Sequence, residues 1–384
     1  MKWKNRGHEY DDMYQKISEK NRFYLFGAGD YGKQFMRIFK SEIQIKGYID
    51  SDISRHGNMI DGKMCNSLED ISLGENDGII VTMSQAARVS ALEQLRALEY
   101  RKNTDYFMIE EFLSVYHVYK NDKVYFSSIS FLPSTACNLN CRYCLNFNPF
   151  AKQFYVREWK ELVQDIDLFF SCVDHIMLFH VSGGEPMLYK YTADLLEYID
   201  KNYGDRIDTL RTVTNGTIVP KEEILQKLSM CDVELTVDDY RNKVPQFNTQ
   251  FEELIRKLEE YHIKYYINKA DSWIDLAPER TDYTSWTEDK LIMHRDNCNQ
   301  SWQELRGGKI YSCNYAAYAS VAGIAGEQDL EEIYDLSSDK KKELVEFRLG
   351  YTTKGYTGFC RKCRGFTSEN SEGVEPAVQL TQRI

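Results

Sequence analysis

The chain has 384 residues, 42% of them hydrophobic and 13% aromatic, which is enough to bury more than one domain core and far from the composition of a disordered protein. A formal net charge of −11 argues against a nucleic-acid partner, because phosphate binding draws on clustered Lys and Arg. Residues 1–10 hold no apolar run of signal-peptide length, and no stretch reaches the roughly 18 apolar residues of a membrane span, so a cytoplasmic protein with no membrane span is expected.

The first element is a short apolar run over 22–26. Gly27, Gly29 and Gly32 follow it in G-x-G-x-x-G spacing, and residues 33–39 then carry a helical pattern. A second apolar run over 43–49 ends at Asp50, 23 residues after Gly27. In such a strand–turn–helix, glycines let the backbone approach a diphosphate at a helix N-terminus, and the later acid can meet a ribose hydroxyl. The same glycines also serve close packing of helix on strand. Strand candidates over 77–82 and 106–109 flank an amphipathic helix over 86–100, so residues 20–116 read as a small βαβ domain, too short for both halves of an NAD-binding module.

From residue 123 the pattern alternates. Strands are expected over 124–132, 175–182, 209–213, 233–237 and 263–267, with helices over 156–170, 189–203, 221–228 and 251–262. That alternation predicts a parallel sheet wrapped by helices.

Ten cysteines in a reducing compartment point to metal or redox chemistry rather than disulfides. Cys137, Cys141 and Cys144 have the spacing Cys-x3-Cys-x2-Cys, a tight loop able to hold three corners of a cubane iron–sulfur cluster and leave the fourth iron open. Cys298, Cys313, Cys360 and Cys363 supply four thiolates, enough to close a second cluster or a structural zinc site. Cys65, Cys172 and Cys231 remain, with the expectation of small buried hydrophobes.

The run 135–144, followed about forty residues later by Gly183, Gly184, Glu185 and Pro186, resembles the signature of the radical S-adenosylmethionine (SAM) enzymes. The resemblance implies an α/β fold whose central part is a partial (β/α)6 barrel over 121–288, with functional groups at the C-terminal strand ends. It implies that the open iron chelates SAM, whose reductive cleavage yields a 5'-deoxyadenosyl radical able to take a hydrogen atom from a substrate. Gly183, Gly184, Glu185 and Pro186 would then face the methionine end of SAM, Thr214 and Asn215 would lie near SAM, Thr236 and Asp238 would meet its carboxylate or ribose, and Tyr143 its adenine. An external electron donor such as flavodoxin or ferredoxin is expected.

The segment from Cys298 to Cys313, with glycines before its last cysteine, resembles SPASM and twitch domains. Over 289–384 this implies one auxiliary 4Fe-4S cluster, since the cysteines are fewer than in the full SPASM pattern. The N-terminal wording resembles the first domain of sugar acyltransferases and other nucleotide-sugar enzymes of bacterial glycan synthesis, which implies a Rossmann-like parallel domain over 1–120 binding a nucleotide or nucleotide-sugar. The combined expectation is dehydrogenation of a sugar, nucleotide-sugar or other small glycan precursor. Peptide modification of the maturase type and epimerisation are the alternatives, Cys172 or Cys231 serving the latter as hydrogen donor, and a zinc-organised non-catalytic scaffold is a further one.

Overall fold

A computed structural model of the chain describes residues 1–39, 42–83, 87–298 and 302–382. Ala86, the expected start of a helix, and residues 299–301 between Cys298 and Cys313 lie outside the described residues. The chain divides into two compact units. One comprises Asn5–Ser127 and Lys341–Leu349; the other comprises Met1–Lys4, Ser128–Lys340 and Gly350–Ile384.

The smaller unit is built on β1 (Arg22–Phe26), β2 (Gln44–Ile49), β3 (Met59–Ile60), β4 (Lys63–Asn66), β5 (Asp77–Val81) and β6 (Tyr106–Met108), in the order β3-β4-β2-β1-β5-β6. Pairing is parallel from β4 through β6 and antiparallel between β3 and β4. Central β1 and β5 are buried along almost their whole length, Phe23–Phe26 and Ile79–Val81 being apolar, as suits the middle of a parallel sheet. On the helix Asp30–Phe39, Phe35 and Phe39 stack at 4.2 Å and meet Phe112 of the helix Ile109–Lys120. The helix Lys341–Arg348 completes this unit from far along the chain. Its Glu346 carboxylate accepts the N–H groups of Gly7 and Glu9 at 2.7 and 2.8 Å, and Arg348 donates to the Ser127 hydroxyl at 2.8 Å.

The second sheet contains β7 (Tyr125–Phe131), β8 (His175–Val181), β9 (Ile207–Thr214), β10 (Val233–Asp238) and β11 (Tyr265–Asn268). After the short β12 (Trp273–Ile274) it gains β13 (Glu304–Arg306), β14 (Lys309–Tyr311) and β15 (Ile333–Asp335), in the order β11-β10-β9-β8-β7-β13-β14-β15. Strands β8 to β11 run parallel, as the alternating pattern predicts. β12 pairs instead with β16 (Gly373–Val374).

Residues 289–384 do not make a compact unit of their own, because β13 lies parallel to β7 with Glu304 opposite Ser130 and Leu305 opposite Phe131. Gly307 and Gly308, at φ +61 and +70, form the two-residue turn from β13 to β14, a conformation glycine adopts without strain. Both their N–H groups donate to Asp165 on the helix Trp159–Cys172, at 2.7 and 2.6 Å, while buried Arg157 pairs with the same carboxylate.

Candidate metal and cofactor site

The three-cysteine loop leaves β7 and crosses the C-terminal ends of the parallel strands. Cys137, Cys141 and Cys144 pack together with Leu139, Tyr240, Val244 and Ala377. Burial pushes the Cys137 and Cys141 thiols up to about 12, the neighbouring Cys144 adding to it in both, and burial raises Cys144 as well. Hydrogen-bond donors nevertheless converge on the sulfurs: backbone N–H of Leu139 at Cys137, those of Asn146, Phe147 and Asn148 at Cys144, and the Gln379 amide at Cys141. Three clustered, largely desolvated thiols surrounded by N–H donors suit thiolates bound to a strongly positive centre, which repays the cost of ionising them side by side.

The Gly183–Gly184 turn docks backbone to backbone on this loop. Gly184 N–H donates to Ser134 O at 3.0 Å and Glu185 N–H to Ala136 O at 2.7 Å. A Cβ on Gly184 would stand 2.2 Å from Ala136 O, so only glycine permits the approach. The Gly183 carbonyl accepts the Asn146 side-chain amide. Pro186 opens a short 3-10 turn and its carbonyl accepts the Thr192 hydroxyl.

Glu185 is 1% exposed and accepts three neutral donors: Met187 N–H at 3.0 Å, the Thr214 hydroxyl at 2.8 Å and Asn215 N–H at 2.8 Å. Burial lifts its carboxyl to about 7 against the pull of those bonds, and Asp238 adds to the rise. Asp238 is likewise raised by burial while it accepts from Tyr240 Oη at 2.7 Å and Asn268 Nδ2 at 2.6 Å. Two desolvated carboxyl groups held by neutral donors, beside the cysteines, are matched to a cationic ligand. Asn215 Nδ2 bonds Asn138 Oδ1 at 3.1 Å and points at Cys137 Sγ from 3.8 Å. Thr236 is buried with its hydroxyl unpartnered among the described residues. Tyr143 lines a solvent-open pocket beside the loop with Arg142, Cys144, Phe150, Leu276 and Glu279.

A second pocket is lined by all four of Cys298, Cys313, Cys360 and Cys363 together with Arg295. Cys363 Sγ accepts Gly365 N–H at 3.3 Å and Cys298 Sγ accepts Phe366 N–H at 3.4 Å. Burial pushes Cys313 up to about 11, while the Arg295 guanidinium pulls it down. Among the described residues no three His, Cys, Asp or Glu side chains sit close enough to share one metal ion; these four cysteines stand around a cavity. Leu276 lines both cavities.

Other candidates stand elsewhere. Cys172 ends the helix before β8 and donates to Leu336 O at 3.2 Å, and Cys231 follows the helix Glu222–Ser229 and donates to Lys227 O at 3.2 Å. Both precede the N-terminal ends of their strands, opposite the cysteine loop, so the fold does not bring either to the site. Cys65 is fully buried on β4. In the smaller unit, a Cβ on Gly27 would lie 2.5 Å from Thr82 O and one on Gly32 2.4 Å from Gly27 O, whereas Gly29 faces open space. Asp50 binds Ala28 N–H at 2.9 Å, Asp52 N–H at 2.9 Å and Arg55 at 2.9 Å, so its carboxylate already ties the glycine turn to the next loop.

Sequence reasoning passes over several polar groups near the site. The Tyr318 hydroxyl joins Ser130 Oγ at 2.5 Å and Ser182 Oγ at 3.0 Å, and Glu304, fully buried, has its carboxyl lifted to about 8 by burial. Neither Tyr318 nor Glu304 belongs to a local motif; strand pairing sets Glu304 beside β7, and the helix Asn314–Val321 brings Tyr318 to Ser130.

Residues 131–268 match the radical SAM superfamily, and residues 19–104 match a family described as C2185-like, N-terminal. No curated protein matches the chain. Among solved structures, the chain is similar to native anSMEcpe with bound AdoMet and Kp18Cys peptide, at 21% identity over 36% of this chain and 42% of that one, with a TM-score of 0.29. It is also similar to BtrN in complex with AdoMet and 2-DOIA (17% identity, 65% and 98% coverage, TM-score 0.36) and to Streptococcus suis SuiB bound to S-adenosylmethionine (18%, 48% and 40%, 0.31). The chain thus spans less than half the length of the first of these structures.

Proposed function

We propose, from the premise that residues 131–268 form a domain of the radical SAM superfamily, that this enzyme oxidises a sugar, nucleotide-sugar or related glycan precursor by hydrogen-atom abstraction. The observation that carries the reading is the meeting of Cys137, Cys141 and Cys144 with the buried carboxyl groups of Glu185 and Asp238 at the strand ends. The cysteines would hold three corners of a 4Fe-4S cluster. When bound, cluster and SAM supply homolytic cleavage of the sulfonium and a 5'-deoxyadenosyl radical. Glu185 and Asp238 would neutralise the cationic methionine end of SAM, Thr214 and Asn215 would hold Glu185 in place, and the Thr236 hydroxyl would be available to the ligand.

Oxidation requires an electron sink for the substrate radical. The four-cysteine cavity supports an auxiliary cluster in that role, with the Arg295 guanidinium offsetting thiolate charge. Leu276 is common to the lining that contains Cys144 and the lining that contains the other four cysteines. The strand–glycine turn–helix of the smaller unit supports a nucleotide-linked substrate, through the open approach at Gly29.

The test is anaerobic reconstitution with iron and sulfide, followed by an assay of 5'-deoxyadenosine from SAM and dithionite. Wild-type protein is expected to release it, Cys141→Ala to release none, and Cys360→Ala to retain some uncoupled cleavage without product. A colourless, zinc-loaded protein that never cleaves SAM would defeat the reading. A thermal-shift screen of nucleotide sugars tests the substrate class, and stabilisation by none of them returns Gly27, Gly29 and Gly32 to a packing role.

A further inference from the structure

The segment Glu375 to Gln382 lies along the three-cysteine loop. Cys141 and Gln379 form an antiparallel bridge, Arg142 N–H donates to Val378 O at 2.8 Å, and Leu380 N–H donates to Asn140 O at 2.8 Å. The Asn140 side-chain amide adds bonds to the carbonyls of Leu380 and Gln382 at 3.2 and 3.1 Å. Ala377, fully buried and at φ +54, is packed among the three cysteines.

This pairing fixes the Gln379 side chain at both ends. Its Oε1 accepts Asn140 N–H at 2.9 Å, so Nε2 must be the donor, and Nε2 reaches Cys141 Sγ at 3.2 Å and Ala377 O at 2.8 Å. Asn140 thereby settles which way the amide faces. An electron added to an iron–sulfur cluster spreads onto its sulfur ligands, so an N–H dipole fixed at one of them stabilises the reduced state more than the oxidised one.

We infer that Gln379 is a positioning residue that raises the reduction potential of the three-cysteine cluster through its bond to Cys141, and that the strand-like pairing of 378–380 with 140–142 holds the donor in place. This rests on the reading that Cys137, Cys141 and Cys144 carry a cluster.

The test is a redox titration of the reconstituted full chain, followed by electron paramagnetic resonance on the signal that changes when SAM is added. Gln379→Glu keeps the oxygen that serves Asn140 and removes the N–H donor; Gln379→Met removes both without adding charge. The two differ in charge and in the Asn140 bond, and share the loss of the donor. Each is expected to lower the ratio of reduced to oxidised cluster at fixed potential about tenfold, a midpoint drop of about 59 mV for a one-electron couple. A drop in one variant alone, or in neither, overturns the inference. If one variant loads no iron, Gln379→Leu takes its place. Wild-type protein with no SAM-responsive signal would remove the cluster reading itself, an outcome distinct from an unchanged midpoint.

Discussion

Burial lifts the Glu185 carboxyl from the ordinary carboxylate range to about 7. A carboxyl raised in this way stabilises the fold while protonated, so its contribution is complete below the unfolded value of about 4.5 and is lost as pH rises through about 7. A cationic ligand reverses the preference, because it favours the ionised form. SAM affinity is therefore expected to rise between about pH 6 and pH 8 in the wild type and to stay flat in the Glu185→Gln variant, with affinity at the upper pH at least about tenfold weaker; isothermal titration across that range checks both. Cys231 is raised by burial too, away from the site. Its thiol is pushed up to about 11, first by burial and then by Asp200 and Glu197, and its bond goes to the carbonyl of its own helix. Cysteine identity alone could not separate it from Cys141; position along the strand does.

At the scale of elements, Asp165 is the joint between the parallel strands and the β13–β14 hairpin. It accepts both turn N–H groups and pairs with Arg157, whose side chain is 3% exposed. Asp165→Ala leaves that guanidinium buried without its partner and is expected to cost about 3 to 5 kcal/mol in denaturant unfolding. In the smaller unit, Gly32→Ala forces a Cβ to within 2.4 Å of Gly27 O, for an expected loss of about 1 to 3 kcal/mol by the same measurement. The expected strand over 124–132 forms as Tyr125–Phe131 and the expected helix over 156–170 as Trp159–Cys172, because long periodic segments carry their own signal. The helix Ile109–Lys120 shows in the sequence only as the end of a strand. Apolar residues on nearly every side, with Phe112, Leu113, Val115 and Val118 all buried, hide the helical period.

For the whole molecule, all seven cysteines of the two candidate sets lie in the unit that includes Ser128–Lys340 and Gly350–Ile384. Ligation would tie the loop holding Cys137, Cys141 and Cys144 to its surroundings, and the bonds of Gln379 and Asn140 would extend that tie to 378–382. Reconstitution is expected to slow amide exchange across 131–147 and 375–382 and to leave β1 and β5 of the other unit unchanged, as read by hydrogen-exchange mass spectrometry. Protection appearing first in β1 and β5 would contradict this assignment of the ligands.

The spacing of Cys137, Cys141 and Cys144, the Gly183-to-Pro186 turn and the alternation of strands and helices were legible in the sequence by itself, because each depends on residues close together along the chain, where backbone geometry leaves few choices. The tertiary structure alone decided that β13 joins β7, that Lys341–Arg348 belongs with Asn5–Ser127, that Asp50 is bound to the glycine turn, and that Gln379 reaches Cys141. Those pairings join residues up to several hundred positions apart. They are selected by which strand edges and buried polar groups remain to be satisfied once the sheets have formed, a condition that no local pattern encodes.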